Sequence, residues 1–462
     1  MRDELDEIRR RGGELVLIGN GAAHFAAAFR EDLQLASDVP LLVDPERRAY
    51  RAAGLRRGRV EMLSPRLPLH ALRALRQGFR QSSIAGDPWQ LGGVFVITPG
   101  GALAYRYVSA EAGDHPPVTE LLAAIEERPA LSEAQDAPRW QRLLGRGLSR
   151  LVDPTVALSF DRTGFRIHSL AFRPGDLEVD LSGRRCLVTG ANSGIGFESA
   201  LALADLGAEV VLLCRSRERG EEAAEQIRTR TANRRVFVEP LDVANLADVR
   251  EVGARLASDR VDVLIHNAGV LPAERVVTDD GLEQTWATHV AGPHLLTRLL
   301  RPALERSPDA RVIWVSSGGM YTRRLRLDDV SWKRRRPYDG VVAYAETKRA
   351  QVVLAELWAE RLRSQRIAVN AMHPGWADTP SVRSSIPGFY RMTRHILRTP
   401  AEGADTIVWL AAADAARAHS GRFFFDREPR GTHWLPGTRE TDAERRALWK
   451  RVEADARRGA RA

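Results

Sequence analysis

Cysteine is nearly absent from this chain: Cys186 and Cys214 are the two in 462 residues. That excludes a disulfide framework and makes a reducing cytoplasm the expected compartment. Long apolar runs are missing too. None approaches the roughly 20 residues of a membrane span, and the start Met1-Arg2-Asp3-Glu4-Leu5-Asp6 is acidic and polar, unlike a signal peptide. No metal site is expected. The net charge is +9, yet a nucleic-acid surface would pair a basic face with interleaved aromatics or a known module, and neither is present. The densest runs, Arg323-Arg324-Leu325-Arg326 and Lys333-Arg334-Arg335-Arg336, read as solvated arginine or a partly basic substrate mouth.

A hydrophobic content of 44% suits a globular protein with a sizeable core. The length allows about three domains, although one doubly wound α/β domain often takes 250 residues or so. Residues 1–128 read as a smaller α/β unit. It has strand patterns at 14–19 and 39–44, a helix-like stretch through Phe25 and Phe29, a hairpin over 94–105 and a last helix over 118–127. The words Leu42-Val43-Asp44-Pro45, Gly86-Asp87-Pro88-Trp89-Gln90-Leu91-Gly92-Gly93-Val94-Phe95 and Ala112-Gly113-Asp114-His115-Pro116-Pro117 resemble the alkyl hydroperoxide reductase/thiol-specific antioxidant family. The resemblance implies a thioredoxin-like fold whose reactive cysteines lie between the first strand and first helix. This chain starts inside that helix and has no cysteine before Cys186, so the unit is expected to be redox-dead unless an active site lies upstream of Met1.

Residues 129–150, Pro-containing and rich in Ala, Glu and Asp, read as a linker. Residues 140–152 carry apolar positions at helical spacing among arginines. A helix docked on the following domain is favoured there over one lying on a bilayer. Residues 151–440 form the second domain with a lead-in, and 441–462 a C-terminal helix and tail. Apolar strands at 185–189, 209–214, 236–241, 261–266, 312–316, 368–372 and 422–425 alternate with helical segments. This pattern predicts a parallel sheet covered on both faces, a Rossmann-like doubly wound fold with its ligand at the carboxyl ends of the strands.

The first of these strands runs into Thr189-Gly190-Ala191-Asn192-Ser193-Gly194-Ile195-Gly196, where a helix opens. Glycines let backbone approach a ligand, and a helix N-terminus favours an anion, so a phosphate-bearing nucleotide is the natural occupant. Tyr344 and Lys348 lie four apart in a helical segment and share a face. An ammonium beside a phenol favours the phenolate and lowers its pKa toward useful proton transfer. Ser316-Ser317-Gly318-Gly319 places hydroxyls at a strand's carboxyl end, where a turn-capping serine is the plain alternative.

Together with Asp242-Val243, Asn267-Ala268-Gly269 and His373-Pro374-Gly375 with Thr379, these residues resemble the short-chain dehydrogenase/reductase superfamily, and within it the branch of dehydrogenase/reductase family member twelve. The resemblance implies that Tyr344 is the general acid/base, that Lys348 lowers its pKa and holds the nicotinamide ribose, and that Ser317 orients the substrate oxygen. Asp242 and Asn267 would line the adenosine half. Thr379 and the backbone near Gly375 would hold the carboxamide. His289 stands where the family usually has an asparagine of a water relay; it enters the catalytic set on that ground, with a packing role equally open. Cys214, Arg215 and Arg217 follow the second strand in place of an acidic residue, which points to the 2′-phosphate of NADP(H). Residues 381–398 read as a substrate lid. The expected protein is an NADP(H)-dependent reductase of a small carbonyl or alcohol, free of nucleic acid and possible as a homo-oligomer. The alternative is an NADP(H)-binding regulator without catalysis.

Overall fold

In the computed structural model, the structure describes residues 5–11, 14–19, 30, 39–44, 49–50, 55, 92–97, 103–109, 116–126 and 159–459. The expected linker at 129–150, the helical reading of 140–152, the helix through Phe25 and Phe29, the words at 86–91 and 112–115 and the last three residues lie outside them. The chain divides into two units, Met1–Ala137 and Pro138–Ala462.

In the first unit, α1 (Leu5–Arg10) is followed by the parallel pair β1 (Leu17–Gly19) and β2 (Leu41–Val43). β3 (Gly93–Ile97) and β4 (Leu103–Val108) form an antiparallel hairpin, and α2 (Val118–Glu126) closes the described part. Tyr105 and Leu121 pack with Val94, Val96 and Tyr107 between hairpin and helix. The Tyr105 hydroxyl donates to Glu120 at 3.0 Å.

The second unit opens with α3 (Arg162–Ser169), whose Asp161 cap accepts from the Thr163 and Gly164 amides at 2.7 and 3.0 Å. Then come β5 (Arg185–Thr189), α4 (Gly194–Asp205), β6 (Glu209–Cys214), α5 (Arg217–Thr231), β7 (Val236–Pro240), α6 (Leu246–Leu256) and β8 (Val263–His266). The second half holds α7 (Gly292–Glu305), β9 (Arg311–Val315), α8 (Gly340–Leu362), β10 (Ala368–Met372), α9 (Pro400–Ala412), β11 (Phe423–Phe425), β12 (Glu428–Pro429) and α10 (Asp442–Asp455). The sheet order is β12-β11-β10-β9-β8-β5-β6-β7, parallel except for β12 at the edge.

Successive side chains of a strand point to opposite faces, and here both faces are buried. Leu187, Val211, Leu213, Val312 and Trp314 join the core on one face, while Cys186, Val188, Val210, Leu212, Ile313 and Val315 join the core on the other. Helices cover both sides, so the middles of the strands are apolar on both faces, with polar residues such as Arg185, Glu209 and His266 at their ends. The order of the chain reverses between β5 and β8, and the crevice at their carboxyl ends is where such sheets bind ligands.

Among the described residues no helix is long and apolar enough to cross a membrane, and no group of three His, Cys, Asp or Glu is placed to hold a metal ion.

Candidate active site

β5 ends at Thr189 and the chain turns sharply into α4. Gly190 has φ of +64°, and a Cβ there would lie 2.9 Å from the Ala268 Cα. At Gly196 a Cβ would lie 2.4 Å from the Gly190 carbonyl oxygen and from Asn267 Nδ2. Backbone therefore packs closer than any side chain allows. Asn267 fastens the arrangement by donating from Nδ2 to the carbonyls of Thr189 and Gly190 at 2.9 and 3.2 Å. Thr189 Oγ1 in turn accepts from the amides of Asn267 and Ala268 at 2.9 and 3.0 Å. The role expected for Asn267, lining the adenosine half, is joined by one in holding the turn. Ser193 caps α4 in position but makes no side-chain cap bond, which leaves first-turn amides available to an anion.

Above this turn opens a cavity of about 820 Å³. Its wall includes Gly190, Asn192, Ser193, Gly194, Ile195, Gly196, Arg215, Asp242, Val243, Asn267, Ala268, Gly269, Ser317, Tyr344, Lys348, Pro374, Gly375 and Thr379. Arg217 does not reach it. Arg219 does, together with Ser216, because Arg217 opens α5 on another side of the helix while Arg219 follows half a turn later. Neither Arg215 nor Arg219 forms an ion pair among the described residues.

The end of the cavity that holds Ser317, Tyr344 and Lys348 is built by β9 and α8. Ser317 follows β9 and caps a short 3₁₀ turn, its hydroxyl accepting from the Gly319 amide at 3.3 Å. The same side chain lines the cavity and faces Tyr344, so capping and site roles coincide. Lys348 is 2% exposed and its Nζ donates to the Val315 carbonyl at 2.8 Å. Ser316 Oγ donates to the Lys348 carbonyl at 2.8 Å, fixing α8 to the end of β9. Burial pushes the Lys348 ammonium down to about 7. Burial raises the Tyr344 phenol above its usual range, against a downward pull from the Ser317 hydroxyl. The expected lowering of Tyr344 by Lys348 is therefore not what this arrangement gives. The ammonium is turned to Val315, 5.4 Å from the tyrosine ring centroid, and is itself partly discharged by burial.

Of the residues expected to be catalytic, His289 alone does not line the cavity. It lies in a π-helical turn, Ala287–Ala291, with its ring fully buried. Its Nε2 accepts the Val270 amide at 3.0 Å, so the proton sits on Nδ1, which donates to Thr347 Oγ1 at 2.8 Å. Thr347 passes the chain on to the Tyr344 carbonyl at 2.9 Å. Both nitrogens are taken, and burial with the Lys348 charge holds the ring's pKa well below neutrality. Of the two roles left open for His289, the packing one matches this geometry: the ring clamps the segment after β8 to α8.

Comparison with known proteins agrees in extent and order. The family profile described as "Enoyl-(Acyl carrier protein) reductase" matches residues 190–425, and that of the "AhpC/TSA antioxidant enzyme" matches 1–111. Dehydrogenase/reductase SDR family member 12 of Bos taurus is 42% identical over 302 residues, 65% of this chain and 94% of that protein. The chain belongs to the short-chain dehydrogenase/reductase family. Retinol dehydrogenase 13 of Homo sapiens is 34% identical over 259 residues, 54% of this chain and 77% of that protein. A solved structure from Mycobacterium paratuberculosis superposes with a TM-score of 0.49 at 28% identity, covering 62% of this chain and 97% of that one. An AhpC/TSA unit is thus fused ahead of a short-chain dehydrogenase/reductase.

In this short-chain dehydrogenase/reductase, the segment expected as a lid forms two short helices, Pro380–Ser385 and Pro387–Thr393. Val382, Ile386 and Phe389 reach the cavity from it, beside Trp376, Leu271 and Val341. Phe389 lies in the segment read as a lid, whereas Arg219 and Trp376 were not expected on the wall; helix phase would have favoured Arg219.

Proposed function

We propose that this chain is an NADP(H)-dependent carbonyl reductase or alcohol dehydrogenase acting on a neutral, apolar substrate. The observation that carries the reading is one continuous cavity wall. It joins the first turn of α4, Arg215 and Arg219 at one end to Ser317, Tyr344 and Lys348 at the other. The residues fit a phosphorylated nicotinamide dinucleotide. The glycine turn is a cradle that a Cβ would fill, and first-turn amides without a side-chain cap suit a pyrophosphate. Arg215, Ser216 and Arg219 would hold a 2′-phosphate where an acidic residue would have repelled it. Lys348 would hold the nicotinamide ribose, and Thr379 with the backbone at Gly375 the carboxamide.

When bound, the dinucleotide supplies the hydride in reduction and takes it in oxidation. Tyr344, whose phenol pKa burial raises, gives its proton to the carbonyl oxygen; in oxidation the phenolate takes the alcohol proton. The Ser317 hydroxyl donates a hydrogen bond to the same oxygen and orients it. Charged residues on the wall are Arg215 and Asp242, just after β6 and β7, Arg219 in the first turn of α5, and Lys348. The substrate portion, with Leu271, Val341, Trp376, Ile386 and Phe389, has none, which disfavours a carboxylate or ammonium substrate. Similarity to a protein named retinol dehydrogenase supports the same choice.

The test is NADPH oxidation against a panel of apolar aldehydes and ketones. Tyr344→Phe should bind NADPH with near-normal affinity and turn over none of them. Turnover surviving in Tyr344→Phe would show that another group is the acid.

A further inference from the structure

We infer that Phe160, in the lead-in ahead of the Rossmann domain, is a positioning residue of the reductase site, wedged between the Ser317 loop and the turn at 374–376. The inference rests on the reading of Ser317 and Tyr344 given above. Phe160 stands outside the stretch 190–425 that matches the family profile, so nothing in that match assigns it a part.

The contacts are close on both sides. Phe160 is 3% exposed. A Cβ built on Gly318, the residue after Ser317, would lie 2.4 Å from Phe160 Cε2, so ring and loop backbone are in direct contact. On the other side the ring meets His373 edge-on at 4.5 Å between centroids and Trp376 at 6.1 Å. The Phe160 carbonyl accepts from the Trp376 amide at 2.8 Å, and Trp376 lines the cavity. One residue thus touches the backbone beside the hydroxyl that orients the substrate and the turn that forms the opposite wall.

A buried latch keeps the wedge in place. Arg398, at the end of the lid, donates from Nε to the Phe160 carbonyl at 2.9 Å and from Nη2 to the Ser159 carbonyl at 2.9 Å. It grips Asp426 with both terminal nitrogens, at 2.6 and 2.8 Å. His168 of α3 meets the same carboxylate at 2.5 Å. Burial alone would raise the Asp426 carboxyl, but the Arg398 charge and the bonds from His168 and Arg398 hold it at about 2. The lead-in, the lid base and the turn after β11 are tied at one ion cluster, and Phe160 carries that constraint to the Ser317 loop. A misplacement on the order of 1 Å can cost about a hundredfold in rate, so a wedge at this point bears on kcat.

The experiment is a double-mutant cycle in the full chain with Phe160→Leu and Gly318→Ala, measuring kcat, KM and NADPH affinity. Phe160→Leu should lower kcat roughly tenfold while NADPH affinity stays near that of wild type, because the glycine turn and Arg215 are untouched. Gly318→Ala should lower kcat by about tenfold or more, since its new methyl meets the ring. The smaller leucine makes room for that methyl, so the double variant should lose far less than the product of the two single losses. Additive losses, or a folded Phe160→Leu with unchanged kcat, would overturn the inference. Absence of any wild-type turnover would instead be the failure of the proposed function. In that event amide hydrogen exchange still decides. Phe160→Leu should speed exchange in 317–322 and at Gly375 and Trp376 and leave α4 protected, and an unchanged pattern would overturn the wedge.

Discussion

The Lys348 ammonium donates to the Val315 carbonyl at 2.8 Å, and burial holds its pKa at about 7. It is charged below that pH and neutral above it. If Lys348 holds the ribose hydroxyls, affinity for NADPH should fall as pH rises from 6 to 8.5, since the neutral amine is the poorer donor. Fluorescence titration across that range should show this limb in wild type and its disappearance in Lys348→Met. Identical pH profiles for the two proteins would remove Lys348 from cofactor binding.

Arg215 and Arg219 line the end of the cavity without an acidic neighbour at the end of β6. Wild type should therefore bind NADPH more tightly than NADH. Arg215→Asp removes one phosphate partner and adds a like charge; a lost charged contact is worth about 2 kcal/mol, tens of fold in affinity. Arg219→Ala should give a smaller loss, for NADPH alone. Arg217→Ala should have no effect, since Arg217 is not on the wall. Equal wild-type affinities for the two cofactors would defeat the assignment of a 2′-phosphate site.

What was legible in the sequence is what local backbone chemistry demands. Gly190 and Gly196 are required where chain segments touch, the Tyr344 and Lys348 spacing follows from helix period, and strands buried on both faces read as unbroken apolar runs. What was not legible depends on distant partners. The ring of His289 is turned away from the cavity by a π-helical turn and an amide at Val270, neither of which leaves a pattern in its neighbours. β12 escaped because its two-residue hairpin is made by Asp426 and Arg427, with φ of 50° and 60°, where such turns normally advertise themselves with Asn-Gly or Asp-Gly. Phe160 meets Gly318, His373 and Trp376 only through the tertiary fold.

Acid should destabilise the second unit before its carboxylates titrate. Burial pushes His266 and His373 down to about 3, and His289 lies well below neutrality. The folded state refuses protons that the unfolded chain takes up near 6.5. The stability due to these neutral rings is thus complete above that pH and is lost as pH falls toward 3, at up to ~1.4 kcal/mol per pH unit for each histidine. His373 stacks on Phe425 at 4.0 Å and accepts the Gly375 amide at 3.2 Å. His373→Phe keeps the stack, gives up that one bond and removes one titration. Urea midpoints between pH 4.5 and 7.5 should then fall less steeply in the variant than in wild type. Equal slopes would mean that His373 is already charged in the folded protein.

The intact chain should neither consume hydrogen peroxide nor reduce disulfides, although its first 111 residues match the AhpC/TSA antioxidant profile. Peroxide attack needs a thiolate, and residues 1–185 contain no cysteine. The two thiols that exist are in the wrong place and the wrong state. Cys186 in β5 and Cys214 at the end of β6 are buried in the sheet, and burial pushes them up to about 12 and about 11. At neutral pH both are protonated and shielded. A thiol-labelling reagent should therefore modify neither cysteine in the native protein and both after unfolding. Peroxide should be consumed no faster than in buffer. Peroxide consumption that persisted in a Cys186→Ser, Cys214→Ser double variant would require a reductant other than a thiol in this chain, and the reading of its first unit as catalytically silent would fall.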